Sequence, residues 1–230
     1  MYRAASKLIE RYLFPLFFFI SLLKNLPFSI LKSKRIAKKY GIKLIDHNDL
    51  RMHNESDTIF ILGCGNTINE LDQSAWNKIK DSHSLGINRW LIHSFVPNFL
   101  LVEGTKKYHL NNQIIKNDNE YIFNIWNESK NRCSKTQFIV KNLESLYFDF
   151  DRLNWNRNNQ VRYIQNLTLP GTTKSSIDKS IMYLKRLGLA SNFQLPMGQR
   201  GTASNALSFA LAAGYKNIVL CGVDLKGEYF

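Results

Sequence analysis

Residues 58–65 read TIFILGCG, an apolar run that ends on two glycines, and this octapeptide narrows the fold more than any other stretch of the chain. A continuous apolar run of this length suits a strand buried on both faces, the kind that parallel sheets covered by helices contain. The turn and the following residues 66–70 then lead into an amphipathic helix, giving strand, glycine-rich turn and helix in the order a βαβ unit requires. Further strands are expected at residues 83–88, 98–102, 121–126 and 137–140, with another buried strand at 217–220. One helix is expected from a cap at Ser175 or Ser176 to about residue 187, and a second from Thr202 to Ala213, ended by Gly214. Residues 143–166, rich in Asn, Arg and aromatics without clear period, read as an irregular lid or insertion. The pattern predicts an α/β class with a Rossmann-like parallel sheet and flanking helices across residues 58–230. The chain ends a few residues past its last expected strand, so this domain reads as C-terminally incomplete.

The N-terminal residues 1–50 read differently. Residues 12–23, YLFPLFFFISLL, form an apolar run too short to cross about 30 Å of hydrocarbon, which takes about twenty residues. Basic residues flank it on both sides, with Arg3, Lys7 and Arg11 before and the cluster from Lys32 to Lys39 after. Such a segment is expected to lie in a membrane interface as an amphipathic helix, each cation gaining about 1 kcal/mol among anionic head groups. A buried core helix is the competing reading. The expected location is the cytoplasmic face of a membrane, with peripheral or monotopic attachment to its anionic surface. Polar residues 47–57 read as a linker to the α/β domain.

The formal charge of +13 calls for a polyanionic neighbour, and the distribution of that charge selects among them. Ten lysines and arginines among residues 1–50 face only Glu10, Asp46 and Asp49, which favours the membrane. Nucleic acid fits poorly, because the basic cluster lacks interleaved aromatics for stacking or a recognition module. Cys64, Cys133 and Cys221 form no CxxC pair and leave one thiol over in any disulfide scheme, which suits a reducing setting. The histidines show no metal-ligand spacing, so no metal is expected, and no GxSxG elbow or Walker lysine is present.

Three places can carry chemistry. The first is the turn Gly63, Cys64, Gly65, Asn66 and Thr67, where glycines permit close approach and a helix N-terminus would offer N–H groups to phosphate. It lacks the third glycine and the acidic strand tip of a dinucleotide site; Asn88 stands at that tip, with Arg89 beside it, as reader of a base or ribose or simply as a turn residue. The second is the stretch containing Arg200, Gly201, Thr202 and Ser204, where backbone donors, hydroxyls and a guanidinium can converge on an anion, or Thr202 can cap a helix. The third is Asp224, at the carboxyl end of the last strand, with Glu103 in the matching place after residues 99–102; these carboxylates can act as nucleophile and acid/base, or as helix caps.

The blocks ILGCGNTINELD and GTASNALSFALAAGYKNIVLCGVDL resemble the opening strand-turn and later helix-strand block of bacterial family-42 sialyltransferases, and through them the retaining Kdo transferases of capsule and lipopolysaccharide synthesis. The resemblance covers about a quarter of the chain, including the Gly86 to Asn88 strand tip. It implies a glycosyltransferase with a CMP-activated ulosonic acid, Kdo or sialic acid, as donor substrate, no cofactor, and a glycan or glycolipid as acceptor. CMP would be held by the Gly63 to Thr67 turn, Asn88 and the Gly201 to Ser204 helix start, with Asp224 as nucleophile and Glu103 as the essential partner carboxylate. Cys64 and Asn66 replace an asparagine and a proline of the sialyltransferase turn, and Glu103 replaces an asparagine, which favours Kdo. The sialyltransferase histidine would lie beyond the last block, outside this sequence. Pterin diphosphokinase-like and flagellin-modification proteins share a similar turn and core and form the alternative, as does an inactive truncated module.

Overall fold

Alternation along the strands sets the architecture. In β2, Thr58–Leu62, Ile59 and Ile61 join one apolar cluster while Phe60 and Leu62 join another. The same division recurs in β3, His83–Ile87, in β4, Phe99–Val102, and in β5, Gln137–Lys141, where Phe138 and Val140 point away from Ile139. Since successive side chains of a strand face opposite sides, two cores must form, one on each face of a sheet. The computed structural model describes residues 14–45, 56–102, 128, 132–141, 161–164, 167–168, 174–186, 197–198 and 201–224.

Within those residues the main sheet has seven strands, all parallel. β1 (Lys43–Leu44), β6 (Val161–Ile164) and β9 (Asn217–Cys221) complete it, in the order β1-β6-β5-β4-β3-β2-β9. A separate parallel pair joins β7, Leu167–Thr168, to β8, Met197–Gly198. The expected Rossmann-like α/β class is therefore the observed one. One face is covered by α4, Thr202–Ala212, whose Ala206, Phe209 and Ala210 pack against Ile59, Ile61, Leu85 and Ile87. The other carries α2, Gln73–Lys80, the crossover between β3 and β4 with Trp90 at its centre, and the last turns of α1, Phe14–Tyr40.

Several expectations are corrected. Val161–Ile164, inside the stretch expected to be irregular, is a strand with Val161, Tyr163 and Ile164 buried. Its pairing with β5 on one side and β1 on the other supplies the order that its own sequence does not. The strand at 217–220, expected to be buried, is the outermost one, and Val219 and Leu220 are 39% and 47% exposed. α3, Lys174–Arg186, starts before both serines expected to cap it; Ser176 lies within its buried stripe, and its carbonyl accepts a hydrogen bond from the Ser180 hydroxyl at 3.0 Å. The strand expected at 121–126 and the linker at 47–55 fall outside the described residues.

The division between residues 1–50 and a domain beginning at 58 does not follow the sheet. α1 runs through Pro27 as one assigned span and delivers its chain into β1, with Ala37 and Ile42 buried in the same core as Trp90 and Phe138. Its first turns pack on α3, where the rings of Phe14 and Phe18 lie 6.5 and 5.6 Å from Tyr183. No helix among the described residues is long and apolar enough to cross a membrane.

Phe209 is 1% exposed and meets Phe99 edge-on at 5.7 Å, so Phe209→Ala is expected to cost about 3–5 kcal/mol in urea unfolding followed by circular dichroism. Val219→Ser, at the exposed edge, is expected to stay within about 0.5 kcal/mol. Similar losses at both sites would refute the edge position of β9.

Candidate functional site

In a doubly wound sheet, ligands collect at the carboxyl ends of the strands, where the order of connection reverses. Here β2 is followed on one side by β3, β4, β5 and β6, while β9 lies on its other side, so the reversal falls between β2 and β9. The loop leaving β2 is the Gly63 to Thr67 turn, and the loop leaving β9 is Gly222 to Asp224.

These loops touch through bare backbone. The Gly63 amide donates to the Cys221 carbonyl at 2.8 Å and the Gly65 amide to the Gly222 carbonyl at 2.7 Å. Gly222 has φ +62, a left-handed conformation that disfavours side chains, and a Cβ there would lie 2.6 Å from the Gly63 carbonyl oxygen. A Cβ on Gly65 would run into the Asp224 carboxylate and come within 2.7 Å of the Gly222 carbonyl.

Asp224 reaches back over the turn. Its carboxylate accepts the Thr67 amide at 3.1 Å and, through its second oxygen, the Thr67 hydroxyl. The Thr67 hydroxyl first, then the Thr67 amide, holds this carboxyl below the usual carboxylate range, with the Asn66 amide adding a smaller pull. The segment it closes is a short 3-10 helix, Asn66–Glu70, which leads into the expected amphipathic α-helix. The α-helix begins later, at α2, where the Asp72 carboxylate accepts the Ala75 amide at 2.7 Å. The amides of Gly63, Gly65 and Thr67 thus all donate within the protein, and the position expected for a phosphate holds a carboxylate instead.

Cys64 ties this pair of loops to the tip of β3. Its buried thiol donates to the Ile87 carbonyl at 3.4 Å, and burial pushes the thiol up while the Arg89 amide and charge pull it back. Asn88 follows with φ +59, a conformation asparagine tolerates better than most residues, so the turn role weighed for it is real. Asn88 and Arg89 are exposed beside the crevice mouth. All three cysteines are free thiols.

The helix start at Gly201 lies at the same end of the sheet. α4 runs back against the strands: its last turn leads through Gly214 to Lys216, whose amide donates to the Asp57 carbonyl at 2.9 Å, immediately before β2 begins. Eleven residues of helix, at about 1.5 Å each, match the length of a five-residue strand at about 3.3 Å each, which returns Thr202 to the level of Gly63. Gly201 is the N-cap and gives no side-chain cap, so the capping role weighed for Thr202 is not the one it has; Thr202 is the first helical residue. The Ser204 hydroxyl donates to the Gly201 carbonyl at 2.7 Å. The structure therefore gathers Gly63, Cys64, Gly65, Asn66, Thr67, Asn88, Arg89 and Asp224 at the carboxyl ends of neighbouring strands, with Gly201, Thr202 and Ser204 at the same sheet end on the α4 face. Glu103 and Arg200 lie outside the described residues.

Sequence reasoning missed a neighbouring groove of about 640 Å³, whose lining includes Ile68, Asn69, Trp76, His93 and Phe95. His93 stacks on Trp90 at 4.5 Å and Trp76 at 5.3 Å. The Phe95 amide donates to its Nδ1 at 3.0 Å, which keeps that nitrogen unprotonated, and burial followed by the charge of Arg132 lowers its pKa. The one local signal was the density of aromatics in residues 90–95.

Fold and site together define a Rossmann-like α/β protein with a crevice at its switch point. No family model matches the sequence, and no curated protein matches it.

Two outcomes follow for the clasp. Gly222→Ala is expected to cost about 1–3 kcal/mol, read by thermal unfolding, because it adds a Cβ to a left-handed residue in contact with backbone. A carboxyl whose folded pKa is depressed stabilises the fold above its unfolded value of about 3.9 and loses that contribution as pH falls through the lower folded value. Asp224→Asn is thus expected to flatten the acid limb of the stability profile below about pH 4, and an unchanged limb would show that Asp224 does not grip Thr67 in solution.

Proposed function

We propose that the protein is a glycosyltransferase that takes a CMP-activated ulosonic acid, Kdo or sialic acid, as donor and passes the sugar to a glycan or glycolipid acceptor of the bacterial surface. The observation that carries this reading is Asp224, whose carboxylate accepts the Thr67 amide and hydroxyl at the carboxyl ends of β2 and β9 and whose pKa those bonds lower. An ionised carboxylate is the form a nucleophile needs. In the proposed reaction one Asp224 oxygen bonds to the anomeric carbon as the bond to the CMP oxygen breaks and CMP departs with the electron pair. The acceptor hydroxyl then bonds to the same carbon, Asp224 leaves as carboxylate, and the hydroxyl proton passes to solvent or to Glu103. Retention of configuration follows from the two displacements.

In this reading the cytidylate phosphate belongs at the start of the longer helix. The turn amides already donate within the protein, which favours the α4 start at Gly201 to Ser204, together with Arg89 and Arg200, as the anion-binding part. Asn88 is left to read ribose or base. No cofactor or metal enters this scheme. The same used-up amides favour, as a second reading, an inactive module that keeps the fold without turnover. Pterin diphosphokinase-like chemistry would require ATP in preference to CMP.

Calorimetric titration separates the three. The transferase reading expects CMP to bind at least about 10-fold more tightly than ATP, a difference of about 1.4 kcal/mol. It also expects Asp224→Asn to keep CMP binding while CMP release from the CMP-sugar in the presence of acceptor falls by about 10³-fold or more. Transfer at the parental rate by Asp224→Asn would remove Asp224 as nucleophile. Tighter ATP binding would favour the kinase-like reading, and no binding of either nucleotide the inactive module.

A further inference from the structure

Helix α1 presents two faces of different fate. At about 100° per residue, the buried positions Phe14, Phe18, Ser33 and Ala37 fall within a sector of about 140°. The exposed positions Leu16, Ile20, Leu31, Lys34, Arg35 and Lys38 fall within an opposite sector of about 100°, and two further exposed cations, Lys39 and Lys32, lie beyond its edge, about 40° and 60° past Arg35. The inner sector is already occupied, because Phe14 and Phe18 stack on Tyr183 and Ala37 lies in the core beneath the sheet. Part of the apolar run that sets this segment apart therefore faces protein.

The outer sector is unusual in its order along the axis. Leu16, Ile20 and Leu31 are 59%, 53% and 58% exposed, and the basic Lys34, Arg35 and Lys38 continue the same strip toward the C-terminal end. A scattered exposed leucine needs no explanation, but aligned ones followed by aligned cations do. Between Phe14 and Tyr40 the helix carries six lysines and arginines and no acidic residue.

We propose that this outer face of α1 lies flat on an anionic lipid bilayer. Leu16, Ile20 and Leu31 enter the boundary between head groups and acyl chains, and Lys34, Arg35 and Lys38 pair with head-group phosphates. The strip ends in three cations, and no helix among the described residues is long and apolar enough to cross a membrane, so the exposed positions meet the surface from one side. Charge complementarity selects a polyanion, and the aliphatic half of the strip selects a lipid surface among polyanions, since a nucleic-acid backbone offers leucine and isoleucine nothing to enter. A second copy of the same face would bring cations with no acidic residue on the helix to answer them. The inference stands apart from the transferase reading, since the crevice contributes no residue to it.

The test is co-sedimentation of the full chain with vesicles of phosphatidylcholine alone and of phosphatidylcholine containing about 30% phosphatidylglycerol. The expected result is binding to the anionic vesicles, weaker by at least about 10-fold on the neutral ones. Two variants, Leu16→Ser with Ile20→Ser, and Lys34→Glu with Arg35→Glu and Lys38→Glu, are each expected to lower anionic binding by at least about 10-fold. Both alter exposed positions, and an unchanged thermal transition shows that the fold is intact. Binding unchanged in both variants would overturn the proposal. So would tighter binding to duplex nucleic acid than to anionic vesicles, or self-association that Leu16→Ser with Ile20→Ser abolishes.

Discussion

Two loops joined backbone to backbone at their glycines hold the mouth of the sheet together. Gly63 and Gly65 on one strand's exit and Gly222 on the other's bring β2 and β9 into backbone contact, and everything at the crevice takes its position from that contact. Asp224 can reach Thr67 because Gly65 has no Cβ in the way. Cys64, between the two glycines, is turned toward the tip of β3 and places Asn88 and Arg89 beside the same opening. The arrangement is rigid for a physical reason: the amides of Gly63, Gly65 and Thr67 already have acceptors at the end of β9 and in its exit loop.

That rigidity changes what the glycine turn can do. A glycine-rich loop before a helix is commonly read as a phosphate cradle, because unpaired amides and the helix dipole attract negative charge. Here the negative charge is supplied by the protein itself, and the segment behind the turn is a short 3-10 helix with little dipole to offer. The longer helix, α4, starts at the same end of the sheet with a glycine cap and offers the better electrostatic partner for a bound anion. The crevice is thus asymmetric, with a fixed carboxylate on the β2 and β9 side and backbone donors on the α4 face.

How much of this was readable depends on range. β2, its glycines, α4 and the turn at Gly214 were legible because each is specified locally, by an apolar run, a small-residue helix or a glycine stop. β6 was not, since Val-Arg-Tyr-Ile is too short to announce itself and becomes a strand through its neighbours. The same holds for β1, two residues long and defined wholly by β6. The Asp224–Thr67 contact joins residues 157 positions apart, and no local pattern encodes it. The burial expected of β9 failed for a related reason: its composition suits an interior strand, but exposure is a property of its place in the order. Asp72 was a legible cap that the apolar spacing of residues 66–71 obscured.

The outer side of β9 has its own consequence. A parallel strand at a sheet margin presents a row of backbone donors and acceptors to whatever comes alongside, and here Val219 and Leu220 add a greasy surface to that row. Lys216 and Asn217 stand only at its entrance, so polar protection is concentrated at one end. At this margin a stray extended segment from a neighbouring molecule would find both hydrogen bonds and shelter from water.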